Sequence, residues 1–563
     1  MTAMSRLMQG GLALVVLVLV STACFGQPVR FSGSLSLTGE QFSASESAPA
    51  AAYRPTWNGR LFARSVVSIG RWLEIPLELQ LSTQERRFQG APGVTLPGLQ
   101  PFNQVGISPR IGPWLRLHLG SFTRPLTPLT LGGIRVRGAG MELTPGPLRL
   151  VVLYGRTRSP READLDAGLS GSYARNFWAV QVGIQQGATE VLLTVSHQKD
   201  DTTRGESLRW LLTPDGPVRM AVAPQENTVA SLQTGLRLGR YVRWRSEVAV
   251  GAFSRDLRSD QLEIGISIPS WLFTPRHSSN IDGAAEAELT VEPASSFSVA
   301  LGGRWIGPGY TTLGQPQLES DVLDLTVAPR LQLRRMGLVV SMRGGLRYNN
   351  LRQSRLATTA RTIVAVNLSW QPETRFGLDA AFSNYGFQLR PRADTLRLQN
   401  ISRSLSLTPR LMLQQNGHLH TLSLTYSFQD SEDRTFTHPD GVHNRTHTLT
   451  LAHSYQMPSR LRLSTTLSFS DTRMPRWRTR IWAFSEAAQY PLRSGLQLQA
   501  SAGLSRLTTV DTATQLMLRW GLRYQLPSPY RGTLSLDQQL RRTERAAGGF
   551  SELLTVLRYV YTW

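Results

Sequence analysis

The amino-acid sequence predicts an all-β fold: a single large antiparallel up-and-down transmembrane β-barrel. Three observations predict it. Long segments alternate between apolar and polar residues, tight turns alternate with longer polar loops, and an aromatic strand ends the chain. A period of two places successive side chains on opposite faces of a strand. Each segment therefore has one apolar face and one face of Gln, Ser, Thr, Gly and Arg.

The alternation is clearest between Ala174 and Ser196. Trp178 to Ile184 alternates on one arm, Gln186-Gly187-Ala188 forms a turn, and Val191 to Val195 alternates on the other arm. This pattern indicates a β-hairpin. Similar segments recur to the end of the chain. Many exceed the ~5–6 residues of a soluble strand and match the ~9–11 residues that cross a bilayer.

The turns set the strand count. Twelve tight turns are predicted near Gly70, Gly112, Gly146, Gly187, Arg240, Ala294, Met336, Glu373, Asn416, Pro458, Leu492 and Ser528. With a first strand near Arg30–Gly39 and a last one at Phe550–Trp563, the prediction is about 26 strands, within a range of 22 to 30. Short turns would face the periplasm and long loops the exterior. A propeller has a similar period of about 42 residues but needs four short strands in each.

The N-terminal residues predict an export signal, with the domain division 1–26 signal peptide and 27–563 barrel. Arg6 precedes an apolar stretch from Leu12 to Val20, followed by small residues. This order is typical of a secretory signal peptide. Cys24, the sole cysteine of the chain, follows a stretch that faintly resembles a lipobox, although Ser21 stands where that pattern has Leu or Val. Whether Cys24 is lipidated stays open.

Charge and cysteine content exclude several functions. The 563-residue chain has 61 basic and 39 acidic residues, and Lys199 is its one lysine. The arginines are scattered singly, whereas nucleic-acid proteins usually gather them in a block or stripe. We therefore expect no nucleic-acid partner. Without a thiol in the mature chain, disulfides and Cys-based zinc sites are excluded, and no cofactor is expected.

The C-terminal strand carries the most specific signal. Leu557, Tyr559, Tyr561 and Trp563 share one face of the last strand. Here the chain resembles Gram-negative outer-membrane β-barrel proteins, of the porin-like kind, without indicating a narrower family. The resemblance implies location in the bacterial outer membrane. It also implies that these four residues form the signal which the barrel-assembly machinery recognises.

The polar face of the last strands predicts a charged lumen. Its candidate residues are Arg462, Arg519, Arg523, Asp537, Arg541, Glu552 and Arg558. Arginine pairs well with phosphate and carboxylate groups, so this lumen would favour anionic solutes. Bracing of the barrel interior is the alternative role for such residues.

A polar segment from Asp430 to His447 contains His438, His443 and His447, which are weak candidates for metal ligands. A surface loop rich in Asp and His explains the composition as well. The sequence has no Gly-x-Ser-x-Gly elbow, and we expect no enzyme.

The predicted size constrains the function. Twenty-six strands imply a circular barrel roughly 50 Å across. An open pore of that width would let the contents of the periplasm escape. We expect inward loops, for which 83–103, 200–228 and 257–282 are the candidates, a flattened barrel, or a plug or lipoprotein partner. The leading hypothesis is a channel or partner-gated conduit. The alternative is a non-transporting scaffold that anchors a surface or secretion complex. Expected partners are outer-membrane lipid and lipopolysaccharide.

Overall fold

A computed structural model describes residues 29–563 except for 46, 49–53, 84–103, 162–170, 206–207, 214–215, 264, 266–267, 392–397, 436–437, 528–530 and 547. The predicted signal peptide lies outside the described residues. Within the described ranges, no helix is long and apolar enough to span a membrane.

The described residues form twenty-nine strands. The first fourteen are β1 (Val29–Ala44), β2 (Trp57–Ile69), β3 (Leu73–Ser82), β4 (Gln104–Ile107), β5 (Arg110–Ile111), β6 (Leu115–Thr123), β7 (Arg135–Leu143), β8 (Leu148–Arg158), β9 (Ala174–Gln186), β10 (Thr189–Asp201), β11 (Leu208–Thr213), β12 (Gly216–Ala221), β13 (Glu226–Leu238) and β14 (Val242–Ser254).

The other fifteen are β15 (Ser279–Ala294), β16 (Phe297–Ile306), β17 (Val322–Leu333), β18 (Leu338–Asn349), β19 (Ala357–Glu373), β20 (Phe376–Pro391), β21 (Leu398–Gln415), β22 (His418–Thr435), β23 (His438–Gln456), β24 (Arg462–Arg473), β25 (Arg478–Arg493), β26 (Leu496–Thr508), β27 (Thr512–Gln525), β28 (Gly532–Arg545) and β29 (Phe550–Thr562). A short 3-10 helix, Arg334–Met336, lies between β17 and β18.

The main sheet closes on itself into an antiparallel barrel. It contains 27 strands, of which β4 and β5 are two pieces of one interrupted span, so the barrel has 26 spans. Antiparallel pairing of β1 with β29 closes it, with Thr38 opposite Arg558. Gly33 and Trp563 exchange backbone hydrogen bonds of 3.1 and 3.2 Å at the seam. The predicted fold class and strand count are confirmed.

The tight turns lie where the sequence predicts them, although Ser528 itself is outside the described residues. They join strand pairs β2–β3, β5–β6, β7–β8, β9–β10, β13–β14, β15–β16, β17–β18, β19–β20, β21–β22, β23–β24, β25–β26 and β27–β28. Gly187, with φ of 62°, begins the two-residue turn between β9 and β10. Glycine adopts this left-handed conformation without strain.

The strand faces differ as the alternation predicts. On β9, Val182 and Ile184 are about half exposed, whereas Phe177, Ala179 and Gln181 on the opposite face are buried. The exposed face continues around the barrel as a belt of large apolar side chains. Because a surface of this kind is unfavourable in water, it is the face that contacts lipid. The opposite faces of the strands line the lumen.

Two long loops fold into the lumen, and neither is among the predicted candidates. They are residues 124–134, between β6 and β7, and residues 307–321, between β16 and β17, and we call them the inward loops. Their contacts lie on the lumen side of the wall, as described below. Of the predicted inward segment 83–103, residues 84–103 lie outside the described part. Segment 200–228 contains the separate hairpin β11–β12.

The prediction that segment 257–282 folds into the lumen is wrong, because the segment packs on the outer face of the barrel. Trp271 packs on Trp178 with 5.8 Å between the ring centroids, and Thr228 donates a hydrogen bond to the carbonyl of Leu272. Trp178 and Thr228 belong to the outer face of β9 and β13. This loop therefore covers the outside of the wall. Its apolar residues pack on an apolar and aromatic surface there. The length and polarity of the segment alone did not indicate this surface.

Candidate functional site

The inward loops hold each other by hydrogen bonds. The Tyr310 hydroxyl donates to the Leu129 carbonyl at 2.6 Å, and the Thr312 hydroxyl donates to the Thr130 carbonyl at 2.8 Å. The Gly132 amide donates to the Gly314 carbonyl at 3.2 Å. A Cβ on Gly314 would lie 2.2 Å from the Thr130 oxygen, so this close approach requires glycine.

The barrel wall holds both loops in turn. Glu247 of β14 accepts a 3.2 Å hydrogen bond from the Leu129 amide. Asn227 of β13 donates to the Thr311 carbonyl at 2.9 Å and accepts from the Leu313 amide at 3.0 Å. Asn227 and Glu247 are nearly fully buried. Because buried polar groups are costly when unpaired, these contacts fix the loops in place.

Apolar packing covers the junction. Leu129 and Tyr310 of the loops pack with Val229, Ala249, Ala284 and Ile306 of the wall, and every member of this cluster is almost completely buried. Burial raises the pKa of the Tyr310 phenol, and the charge of Glu247 adds to this effect. Tyr310 therefore remains a neutral donor. In a second buried cluster, Leu131 of the first inward loop packs on the lumen face of the wall. Its members are Phe122, Leu131, Val136, Val151, Leu153, Phe177 and Ala179.

Charged residues brace the same side of the lumen. Asp200, 3% exposed, accepts hydrogen bonds of 2.7 Å from Arg158 and from Arg175. The backbone amide of Gln225 donates to its second oxygen at 3.0 Å. A carboxylate with this many partners stabilises the wall because both oxygens are satisfied. The bulge of β8 between Arg156 and Arg158 brings Arg158 to the lumen side.

A second chain of polar contacts crosses β6 and β7. The Ser108 hydroxyl lies 3.0 Å from His118 Nδ1, and His118 Nε2 lies 2.6 Å from the Glu142 carboxylate. Arg124 pairs with the other oxygen of Glu142 at 2.7 Å. Phe122 stacks on the imidazole with the ring centroids 5.0 Å apart. The hydroxyl–imidazole–carboxylate order occurs in charge-relay hydrolases; in this barrel, Phe122 and Arg124 hold the three groups against the wall.

The predicted lumen residues occupy the opposite arc of the barrel. All seven lie at strand positions opposite to the apolar belt, by the alternation of β24, β27, β28 and β29. Arg519 lies 3.4 Å from Asp537, and Arg541 lies 3.1 Å from Glu552. Asp537 also accepts a 2.7 Å hydrogen bond from Gln499. The three other arginines, Arg462, Arg523 and Arg558, are exposed to solvent, and Arg519 is exposed as well.

A groove lies on the lumen wall between the loop-filled side and this arc. It has a volume of about 250 Å³ and is lined mainly by small and polar side chains of β18 to β21, among them Ser341, Asn367, Asp379 and Thr408. Asp379 pairs with Arg410 at 2.9 Å. The lumen thus has one side filled by loops and another side lined by solvated polar groups.

The terminal aromatic residues belong to the closing strand. Tyr561 stacks on Trp563 with 5.4 Å between centroids, and Leu557 is half exposed on the same face. Tyr559 lies opposite Leu37 of β1. Their role as an assembly signal stays a prediction.

The metal candidates are spread along the first half of β23. His443 Nδ1 lies 3.0 Å from Asp430, and His447 Nδ1 lies 2.9 Å from the Tyr426 hydroxyl. His438 lies at the start of the strand. Across the residues that the structure describes, no group of three or more His, Cys, Asp or Glu side chains is placed to hold a metal ion.

Sequence reasoning missed the inward loops and the Ser108–His118–Glu142 contacts. One signal was present: Leu148 to Tyr154 of β8 is apolar at almost every position. Strands covered on both faces have such continuous apolar runs. In this barrel, the run indicates a wall that is covered by lipid outside and by a loop inside.

Comparison with known proteins assigns the chain to no family. No protein-family model and no curated protein matches the chain. Solved structures do match. The Pseudomonas aeruginosa outer membrane protein OpdK is 11% identical, covering 67% of this chain and 98% of its own, with a TM-score of 0.29. Pseudomonas aeruginosa OccK10 (OpdN) is 14% identical over 67% and 99%, also with 0.29.

The translocation pore of the P pilus usher PapC is 10% identical over 95% of this chain and 100% of its own, with a TM-score of 0.24. At these scores the likeness supports no statement about activity or cargo. The closed 26-span sheet and its apolar outer belt define the class. The protein is a closed antiparallel β-barrel of 26 spans with an apolar outer belt, and no family is assigned to it.

Proposed function

We propose that the protein is a passive outer-membrane conduit whose lumen is narrowed by the two inward loops. The observation that carries the proposal is the asymmetry of the lumen. The loops fill the side formed by β6 to β16, while exposed arginines line the side formed by the last strands. A scaffold would not need a solvated charged arc inside its wall.

We further propose that the conduit favours anions. Among the seven predicted lumen residues, five arginines face two carboxylates, Asp537 and Glu552. The excess cationic charge attracts anions into the lumen, and guanidinium groups bind phosphate or carboxylate groups during passage. Export by a signal peptide over residues 1–26, location in the outer membrane and gating by a plug or lipoprotein partner belong to the same proposal.

Planar-bilayer recording tests the conduit and its selectivity together. We expect current from the purified full chain and a reversal potential that indicates anion preference in a KCl gradient. The triple variant R519Q/R523Q/R558Q removes three lumen charges and is expected to reduce that preference severalfold. The matched control R445Q/R473Q/R478Q removes three charges from the outer wall and should leave it unchanged. The absence of current in wild type would favour the scaffold instead.

We also propose that Leu557, Tyr559, Tyr561 and Trp563 act as the assembly signal. Trp563→Ala should lower the yield of heat-modifiable barrel when the assembly machinery is present. Spontaneous folding of the same variant in detergent should change little, which separates recognition from stability.

A further inference from the structure

The segment that suggested a metal site forms a charged patch on the outside of the barrel. We call it the arginine patch. It contains six arginines and three carboxylates from five neighbouring strands: Arg403, Asp430, Glu432, Arg434, Arg445, Asp471, Arg473, Arg478 and Arg480. These residues continue the outward face of the strands, beyond the apolar belt.

The carboxylates lie beneath the arginines. The side chains of Asp430, Glu432 and Asp471 are 8%, 4% and 7% exposed, whereas those of the arginines are 41% to 62% exposed. Asp471 is central, with Arg478 at 2.6 Å and Arg473 at 3.1 Å. Arg445 lies 3.4 Å from Asp430. The carboxylates thus hold the guanidinium groups in place. The remaining N–H donors of these groups face solvent.

The patch has unbalanced charge. Six arginines against three carboxylates leave three positive charges on one face. A shallow groove of about 390 Å³ runs between β23 and β24, lined by His443, Arg445 and Arg473. A groove between fixed guanidinium groups is suited to a phosphate, which accepts paired hydrogen bonds from each.

The position of the patch on the barrel indicates which phosphate-bearing molecule would bind there. Phe469 packs against Trp482 with 4.2 Å between the ring centroids, and both side chains lie on the outer face. Aromatic side chains of this kind mark the membrane–water interface. Asp471 follows Phe469 by two residues, or ~7 Å along the strand. The patch therefore lies at the height of the headgroups of the extracellular leaflet.

We propose that the arginine patch binds the phosphorylated headgroup of a glycolipid in the outer leaflet, of the lipopolysaccharide type. A divalent metal is a poorer occupant because arginine cannot act as a ligand and repels cations. The proposal rests on the membrane orientation of the barrel and is independent of the conduit.

Native mass spectrometry of the purified full chain in detergent tests the site. The ligands are diphosphorylated lipid A, the same lipid without phosphates, and inorganic phosphate. We expect the diphosphorylated lipid to bind wild type about tenfold more tightly than the dephosphorylated lipid, because two charge-assisted contacts are lost. R445Q/R473Q/R478Q should abolish that difference. R462Q/R519Q/R523Q, with the same change in charge inside the lumen, should retain it.

Three results would overturn the proposal: equal affinity for both lipids, an equal loss in both triple variants, or inorganic phosphate that competes as strongly as the lipid. The last result would identify a general anion site. Heat-modifiable migration confirms that each variant is folded, and the single variants R445Q and R473Q replace the triple if it is not. Normal conductance of the patch variant would keep this proposal separate from the conduit.

Discussion

The hydroxyl of Tyr310 donates a 2.6 Å hydrogen bond to the backbone carbonyl of Leu129 and so joins two loops 181 residues apart in the chain. Both groups are buried between the lumen wall and the loops. This contact makes the inward loops one unit. Because the wall residues Asn227 and Glu247 hold the same unit, we expect a fixed constriction rather than a freely moving gate.

Tyr310→Phe removes the hydroxyl donor, so the buried carbonyl of Leu129 loses this hydrogen bond. We expect a loss of about 1–2 kcal/mol in the free energy of unfolding, as for other buried hydrogen bonds that lose one partner. Urea unfolding of the barrel in detergent measures the change. Tyr348→Phe, at a partly exposed position of the outer wall, should change the midpoint by much less. Equal losses of unfolding free energy in the two variants would show that the contact between the loops adds no stability of its own.

The same tyrosine predicts an alkaline pH dependence. Burial raises the pKa of its phenol, with the charge of Glu247 second. In the unfolded chain, a tyrosine titrates near pH ~10. The folded state therefore binds more protons above that pH, so this contribution to stability is full below pH ~10 and falls as pH rises further. The melting temperature of wild type should decrease more steeply above pH ~10 than that of Tyr310→Phe. Parallel curves would contradict the prediction.

Gly33 lies at the seam where β29 closes the barrel. A Cβ there would lie 2.5 Å from the Arg64 oxygen and 2.9 Å from the Trp563 ring. Gly33→Ala must therefore displace backbone at the closing strands, and we expect a reduced yield of folded, heat-modifiable barrel. Gly39→Ala, in the same strand with nothing within 4 Å of its Cβ, should fold like wild type. Normal folding of both would show that the seam tolerates a shift.

Asp200→Asn keeps the size of the side chain but leaves Arg158 and Arg175 without their shared carboxylate. We expect a loss of about 2–3 kcal/mol, below the ~3–5 kcal/mol of a fully buried pair because Arg158 is partly exposed. Urea unfolding gives the value. Asp511→Asn, at an exposed loop position, is the control and should change stability by under about 0.5 kcal/mol.

The barrel was predictable because its signal is local. Alternation such as that of Val182 and Ile184 against Gln181 needs only neighbouring residues, and turns such as Gly187 mark each strand end. Both follow from the period of a strand and the conformational freedom of glycine. Counting these turns was sufficient to obtain 26 spans.

The lumen was harder to predict because it depends on contacts between distant segments. Tyr310 reaches Leu129, and Asn227 reaches Thr311, across many intervening strands. The polar loop candidates were chosen by length, whereas the loops that enter the lumen carry buried apolar residues such as Leu129 and Leu131. Loop 257–282 also carries apolar residues, but these pack on Trp178 outside. Sequence alone does not distinguish the two sides of the wall.

The single-channel conductance of a loop-deletion variant tests the central claim most directly. Residues 308–320 would be replaced by a short Gly-Ser linker, and Gly39→Ala would serve as a folded control. The account predicts a low, steady conductance for wild type and for the control, and a severalfold higher conductance for the deletion. Equal conductance in all three, or no current from any of them, would contradict a conduit narrowed by inward loops.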